Sequence, residues 1–353
     1  MKYLLKEKIR GEENTAGVKA RDDIDEILIG QLGYAMLDYV TENTESRTLI
    51  DNVSGHVRKS RELEKATKVL EHGDELAVQF PMLADSIFHY HIFRKLEHRG
   101  VKVTLIVHDL ELFRVSKRSD VSIKKRIKNK IEEKNVLKYA GEIVVHNAYM
   151  RDALAAEGFS KEKMKLLQIF DYLIPGYDEK SYKLSEHIGF GKPVIIAGAL
   201  RRHKAGYAYD LPDGYHFNLY GIGYEGESRD NVHYFGVFPP EGLPFEIAGS
   251  FGLVWDGLEA DTCSGVYGEY LKINNPHKTS LYLAAGIPVI IWSEAALADF
   301  IRENNCGITV NSLKEIPDKL KELPEQDYMS MKQNAGKTGE RLREGYYTRQ
   351  IFN

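Results

Sequence analysis

The chain has 353 residues, 43% of them hydrophobic, and 48 basic against 52 acidic side chains leave a net charge of −4. That length exceeds a single core of about 100 to 200 residues, so two domains are expected, and the mild acidity argues against bulk attraction to nucleic acid. Cys263 and Cys306 stand far apart and outside any metal-type spacing, which predicts reduced, non-ligand thiols.

The opening MKYLLKEKIRGEEN is interrupted by charge too often to form the apolar core of a signal peptide, and no later apolar run is long enough to span a bilayer. A cytosolic location is therefore expected. Helical periodicity is expected over 22–40, 55–72, 84–99 and 148–157. Strand-like runs alternate with it: ELAVQF (75–80), VKVTLIV (101–107), EIVVH (142–146) and MKLLQI (164–169). A polar, turn-rich stretch over 173–192 follows. Then a second series of strands begins, PVIIAG (193–198), YHFNLYG (215–221), VHYFGV (232–237), FGLVW (251–255), IPVIIW (287–292) and GITV (307–310). The alternation predicts an α/β protein with parallel sheets covered by helices. Two doubly wound domains are expected, 1–170 and 191–335, with a linker at 171–190 and a C-terminal helix and tail at 336–353 that can return to the first domain. Facing each other, such domains form a cleft at the carboxyl ends of their strands, where these sheets bind ligands.

Candidate chemistry collects at those strand ends. PVIIAG runs into ALRRHK, which puts Arg201, Arg202, His203 and Lys204 where a diphosphate would sit, although a solvated basic loop explains any one of them alone. In NNPHKTSLYLAAGIPVI (274–290), Asn275 is expected to cap a helix, Pro276 to occupy its first turn and Gly286 to end it. Lys278 then opposes the helix dipole, a conflict that an anion held at the helix start would remove. Asp256, after FGLVW, can accept from a sugar or ribose hydroxyl or simply begin a turn with Gly257. Tyr220 and Tyr224 can flank a base or pack. In the first domain VKVTLIVHD places His108 and Asp109 after an apolar strand, a pairing suited to removing a proton from a hydroxyl nucleophile. The loop around 13–23, with Thr15, Gly17, Lys19 and Arg21, is a candidate for ordering over an acceptor. Asp23-Ile-Asp25 matches a metal pattern, but acidic residues there favour a helix amino end, so capping is the expected role. The run Arg114–Lys138 carries ten basic against three acidic residues and can attract anionic headgroups or a lipid-diphosphate acceptor; a solvated helix is the commoner outcome. No GxGxxG or GxxxxGK[ST] is present, which weakens a nicotinamide oxidoreductase reading.

GDELAVQFP (73–81), VTLIVHD (103–109), FGLVWDG (251–257) and NNPHKTSLYLAAGIPVI together resemble bacterial glycosyltransferases of GT-B architecture. The nearest likeness is to the glucosyltransferases that extend O-linked N-acetylglucosamine on serine-rich repeat adhesins and to β-1,6-galactofuranosyltransferases of surface polysaccharide assembly. The resemblance runs from about residue 20 to GYYTRQIF, and the lysine-bearing helix start is its most specific element. It implies a UDP-sugar bound mainly by the second domain. Lys278, with Thr279 beside it, falls on the lysine that contacts the diphosphate; Arg201 or Arg202 falls on the arginine after that domain's first strand; Tyr220 matches a nucleotide-contacting tyrosine. Acceptor binding falls to the first domain, including the loop with Thr15, Gly17 and Lys19.

The reaction expected is transfer of a hexose, galactofuranose or glucose, to a hydroxyl of a glycan, glycoprotein or lipid-linked acceptor. No glutamate pair follows Asn274, which favours inversion, and cationic side chains can meet the leaving diphosphate without a metal. The resemblance is compatible with a homo-oligomer. A catalytically idle nucleotide-sugar-binding partner subunit is the alternative, since it would retain the same cations.

Overall fold

A computed structural model of the protein describes residues 1–10, 19–42, 49–83, 88–114, 132–177, 187–227 and 229–353. Two compact units divide the chain, Met1–Leu167 with Arg349–Asn353, and Gln168–Thr348. Thr15, Gly17 and most of the 114–138 basic run lie outside the described residues.

The first unit is built on a six-stranded sheet of order β2-β1-β3-β4-β5-β6. Its strands are β1 (Lys2–Arg10), β2 (Ala35–Glu42), β3 (Glu75–Phe80), β4 (Lys102–Val107), β5 (Glu142–Val145) and β6 (Met164–Leu166), all paired in parallel. Helices include α1 (Lys19–Asp25), α2 (Leu49–Ala66), α3 (His89–His98) and α4 (Ala148–Ala156). Parallel strands covered on both faces read as continuous apolar runs, and Leu76, Val78, Val103, Leu105, Ile143 and Val145 fill the core accordingly. The last residues group here: Lys2 donates to the Phe352 carbonyl at 2.8 Å, and the Phe352 ring meets Tyr34 edge-on.

One strand was not foreseen in this unit and one expectation fails. The opening segment forms β1, an interior strand; Leu4 and Leu5 are buried while Lys6 pairs with the buried Asp25 and Lys8 with Asp38. The helix expected over 22–40 is only α1 and a π-helical turn, Glu26–Gln31. Gly33 at φ 70° then turns the chain into β2, where Tyr39 and Thr41 point inward. Periodicity alone does not separate a short apolar helix from a strand, and here the pairing with β1 decides.

The second unit repeats the plan with order β12-β11-β10-β7-β8-β9. Its strands are β7 (Val194–Ala197), β8 (Phe217–Tyr220), β9 (Val232–Tyr234), β10 (Gly252–Val254), β11 (Val289–Trp292) and β12 (Gly307–Val310), again all parallel. The helices that matter below are α5 (His277–Ala284) and α6 (Glu325–Arg343). Residues 168–177 pack into this unit: Ser280 donates to the Phe170 carbonyl at 2.6 Å, and Asp171 accepts from the Thr348 amide at 2.6 Å.

Each sheet winds outward in two directions from one strand. β1 lies between β2 and β3, and β7 lies between β8 and β10. At such reversals the loops leaving adjacent strands diverge, so a crevice opens at their carboxyl ends.

Candidate active site

In the second unit the reversal point lies between the carboxyl ends of β7 and β10. β10 delivers Trp255 and Asp256, and β7 delivers Gly198 through Lys204. The two loops are tied together: the Gly257 amide donates to the Lys204 carbonyl at 3.0 Å, and Ala205 bridges Gly257. Gly221, at φ 141°, lets the loop after β8 lie against the loop after β7, because a Cβ there would collide with the Gly198 carbonyl.

Helix α5 brings Lys278 to the same edge. Its ammonium donates to Asp256 Oδ1 at 2.9 Å and to the Trp255 carbonyl at 3.0 Å. The pair is largely withdrawn from water, with side-chain exposures of 16% for Lys278 and 12% for Asp256. Burial pulls the Lys278 pKa down, but the Asp256 carboxylate together with Tyr282 and Cys263 offsets it and the net shift is upward, so the ammonium stays charged. The conflict between Lys278 and its helix dipole is thus met first by an internal carboxylate. Among the described residues two of its three N–H bonds are engaged. Beside it, the wholly buried Thr279 hydroxyl and the Asn274 side-chain oxygen have no hydrogen-bond partner among the described residues.

The capping expectation is corrected. Pro276 itself is the N-cap, its carbonyl accepting from the Thr279 amide at 3.0 Å, and Asn275 instead donates to the Gln168 carbonyl at 2.8 Å. Gly286 does end the helix, at φ 73°. Arg201 and Arg202 are both exposed, at the start of a single helical turn, Arg202–Ala205. The Arg202 guanidinium stacks over Tyr209 at 4.1 Å. Tyr220 is 1% exposed, stacks on Phe235 and accepts from the Ala248 amide at 3.1 Å, so in this structure it is a packing residue. Tyr282, with no role expected from sequence, accepts from the Ala197 amide at 2.7 Å and so joins α5 to the end of β7.

In the first unit His108 follows β4, and its Nε2 lies 2.6 Å from Gln79 Oε1 on β3. Asp109 pairs with Arg114 at 3.1 Å. Lys19 is not exposed over an acceptor; it is 5% exposed and paired with Asp23. Asp25, expected only to cap, accepts from Lys6 and from Gln79 Nε2, and burial raises its pKa against these partners. A glutamine inside the otherwise apolar LAVQF run was the available signal of this network. Among the described residues no group of three or more His, Cys, Asp or Glu is placed to hold a metal ion, and burial pushes both thiol pKa values up, that of Cys306 to about 12.

Two Rossmann-like units of this kind define a GT-B glycosyltransferase fold. The solved structures agree: Anabaena HepE, crystallised with UDP, superposes with a TM-score of 0.58 at 11% identity over 100% of this chain and 98% of that one. Sucrose-phosphate synthase from Thermosynechococcus elongatus gives 0.62 at 13% identity over 100% and 97%. Residues 2–169 match the N-terminal domain, and residues 194–353 the C-terminal domain, of the glucosyltransferase 3-like proteins. The chain belongs to this family of bacterial glycosyltransferases. A β-1,6-galactofuranosyltransferase of Escherichia coli, WbbI, is 34% identical over 343 residues, covering 96% of this chain and 93% of that protein. Glucosyltransferase 3 of Streptococcus gordonii is 32% identical over 214 residues, 60% of each. Among the described residues no helix is long and apolar enough to cross a membrane.

Proposed function

We propose that the protein transfers a hexose, galactofuranose or glucose, from a UDP-sugar to a hydroxyl of a glycan acceptor, with inversion, in the assembly of a bacterial surface polysaccharide or glycoprotein. The observation that carries the donor assignment is the Lys278 ammonium, paired with Asp256 at the reversal point of the second sheet with one N–H bond uncommitted among the described residues. The unpartnered Thr279 hydroxyl beside it supplies a donor for a phosphate oxygen. Arg201 is the second cation, because Arg202 is engaged with Tyr209. As the glycosidic bond to the diphosphate breaks, negative charge grows on the leaving oxygens, and these groups stabilise it without rearranging. His108 is the base for the acceptor hydroxyl in preference to Asp109, whose carboxylate is paired with Arg114.

Incubation with UDP-glucose, UDP-galactopyranose, UDP-galactofuranose and UDP-N-acetylglucosamine, each with and without an N-acetylglucosamine-terminated acceptor, tests this reading through UDP release. Acceptor-dependent release is expected with one hexose donor. Lys278→Ala is expected to weaken UDP binding in calorimetry by about 10- to 100-fold, the value of one charge-assisted hydrogen bond. Unchanged UDP affinity in that variant would remove the donor assignment, and tight UDP binding with no transfer to any acceptor would indicate a non-catalytic subunit.

A further inference from the structure

The steps from β2 to β3 and from β3 to β4 run the same way across the first sheet, so right-handed crossovers put α2 and α3 side by side on one face. A cleft of about 870 Å³ lies between them. α2, with the 3-10 turn Thr67–Val69 that prolongs it, lines the cleft with Arg61, Glu64, Lys65 and Lys68. α3 lines it with His91, Arg94, Lys95 and His98. Both sets are spaced i, i+3, i+4, i+7, one outward stripe per helix, while Leu63, Leu70, Ile92, Phe93 and Leu96 turn inward. Five of the eight lining positions are lysine or arginine, two are histidine and one is acidic. A solvated helix of the same chain looks different: α6 mixes Glu325, Asp327, Lys337, Glu340 and Arg341 along its exposed positions. In a chain of net charge −4 the stripe is a local reversal of sign.

Ion pairs do not cancel it. Lys95 pairs with Glu64 at 2.6 Å, and Lys65 with Glu62 at 2.7 Å. Arg99, at the end of the cleft, donates to the Lys68 and Leu70 carbonyls, which leave its charge in place. Among the described residues Arg61, Lys68 and Arg94 have no carboxylate partner. Arg94 lies over the Tyr139 ring at 6.0 Å and Lys138 over the same ring at 5.8 Å, so the basic surface continues past α3.

α3 ends where β4 begins, at the amino edge of the sheet, and the six residues of β4 carry the chain about 20 Å to the carboxyl edge, where His108 follows. The stripe faces outward and runs to the amino edge, so a ligand on it leaves the carboxyl edge open. Its role is attachment and not reaction. Protein interfaces are depleted in lysine and centre on apolar anchors. Here three of the five cations are lysine, and Val69 is the only exposed large apolar side chain over residues 61–72 and 88–100. A cluster of about four to eight lysines and arginines on amphipathic helices is instead the pattern that attracts anionic headgroups.

We propose that this stripe docks the protein on an anionic lipid bilayer, with headgroup phosphates entering the cleft between α2 and α3 to meet Arg61, Lys68, Arg94 and Arg99. Such docking requires neither the transferase assignment nor the Arg114–Lys138 run.

Cosedimentation of the full chain with lipid vesicles is the test. Binding is expected to vesicles of phosphatidylcholine and phosphatidylglycerol in equal parts and not to phosphatidylcholine alone. It should be lost as salt rises from about 0.1 M to about 1 M, where the screening length shrinks from about 10 to about 3 Å. Lys68→Gln should lower the partition coefficient about fivefold, the share of one cation near the surface. Arg61→Gln/Lys68→Gln/Arg94→Gln leaves no paired carboxylate stranded; it should unfold as cooperatively as the unmodified protein and lose about 100-fold. Undiminished vesicle binding in the folded triple variant would overturn the proposal, as would equal binding to both kinds of vesicle or binding to neither. Capture of soluble polyphosphate or polyglutamate without vesicle binding would assign the stripe to a dissolved polyanion or an acidic protein and overturn the lipid assignment.

Discussion

Lys278 is paired with Asp256 and is the proposed diphosphate contact, and a single substitution confounds the two. As an ion-pair partner it compensates Asp256, which is 8% exposed; in the proposed reading its remaining N–H would meet the diphosphate. Removing one member of a withdrawn pair leaves the other charge uncompensated and costs about 3 kcal/mol or more. Lys278→Ala is therefore expected to lower the stability of the second unit as well as UDP affinity. Adding Asp256→Asn removes the stranded carboxylate. The double variant should recover much of the stability in denaturant unfolding while UDP affinity stays low. A double variant no more stable than the single would show that the pair contributes little, and a recovered affinity would show that Lys278 does not meet the diphosphate.

At the level of elements, the site depends on where α5 sits, and α6 packs against it at small residues. A Cβ on Gly339 would collide with the Leu283 carbonyl of α5, whereas one on Gly336, three residues earlier on α6, would meet nothing within 4 Å. Both positions gain up to about 1 kcal/mol of helix propensity on changing to alanine. At Gly339 that gain is outweighed by overpacking, which costs about 1–3 kcal/mol. Thermal unfolding should thus show Gly336→Ala stabilised and Gly339→Ala destabilised. Equal shifts of the same sign would contradict the close packing of the two helices. In the first unit the corresponding constraint is strand pairing: β1 is bonded on both sides, to β2 and β3. That pairing holds Lys6 within reach of Asp25.

Across the whole molecule, each unit has its own sheet, and the first carries two buried histidines that make it sensitive to acid. His146 and His89, both 1% exposed, lie in the first unit; the His146 Nε2–H donates to the Val107 carbonyl at 3.0 Å, and His89 Nε2 bonds the Tyr39 hydroxyl at 3.1 Å. Burial holds their pKa values down, to about 4 and about 3. The unfolded chain binds a proton at each below about pH 6.5 while the folded unit does not, so stability is full above that pH and falls as the pH drops. Each histidine is expected to remove about 2 kcal/mol by pH 5. Denaturant unfolding between pH 7.5 and 5 should show this loss in the first unit, with His146→Gln flattening its share. An identical pH slope in that variant would rule out His146 as a contributor.

Ten of the twelve strands, and the division into two wound sheets, could be read from sequence, because buried parallel strands need uninterrupted runs such as VKVTLIV and PVIIAG wherever they occur. The position of Lys278 in the first turn of a helix was legible too, where a cation is locally anomalous. β1 and β2 were not legible: their charged and mixed residues are compatible with a strand only once neighbours supply the ladder. The partnership of Lys278 with Asp256, the burial of Tyr220 and Lys19, and the Asp25–Gln79–His108 chain were equally hidden. What the residues alone specified is which segments are apolar enough to be strands. Which polar groups bond to one another, as Lys278 does to Asp256 and Gln79 to Asp25, depended on the packing, because burial and pairing involve residues far apart in the chain and no local pattern records them.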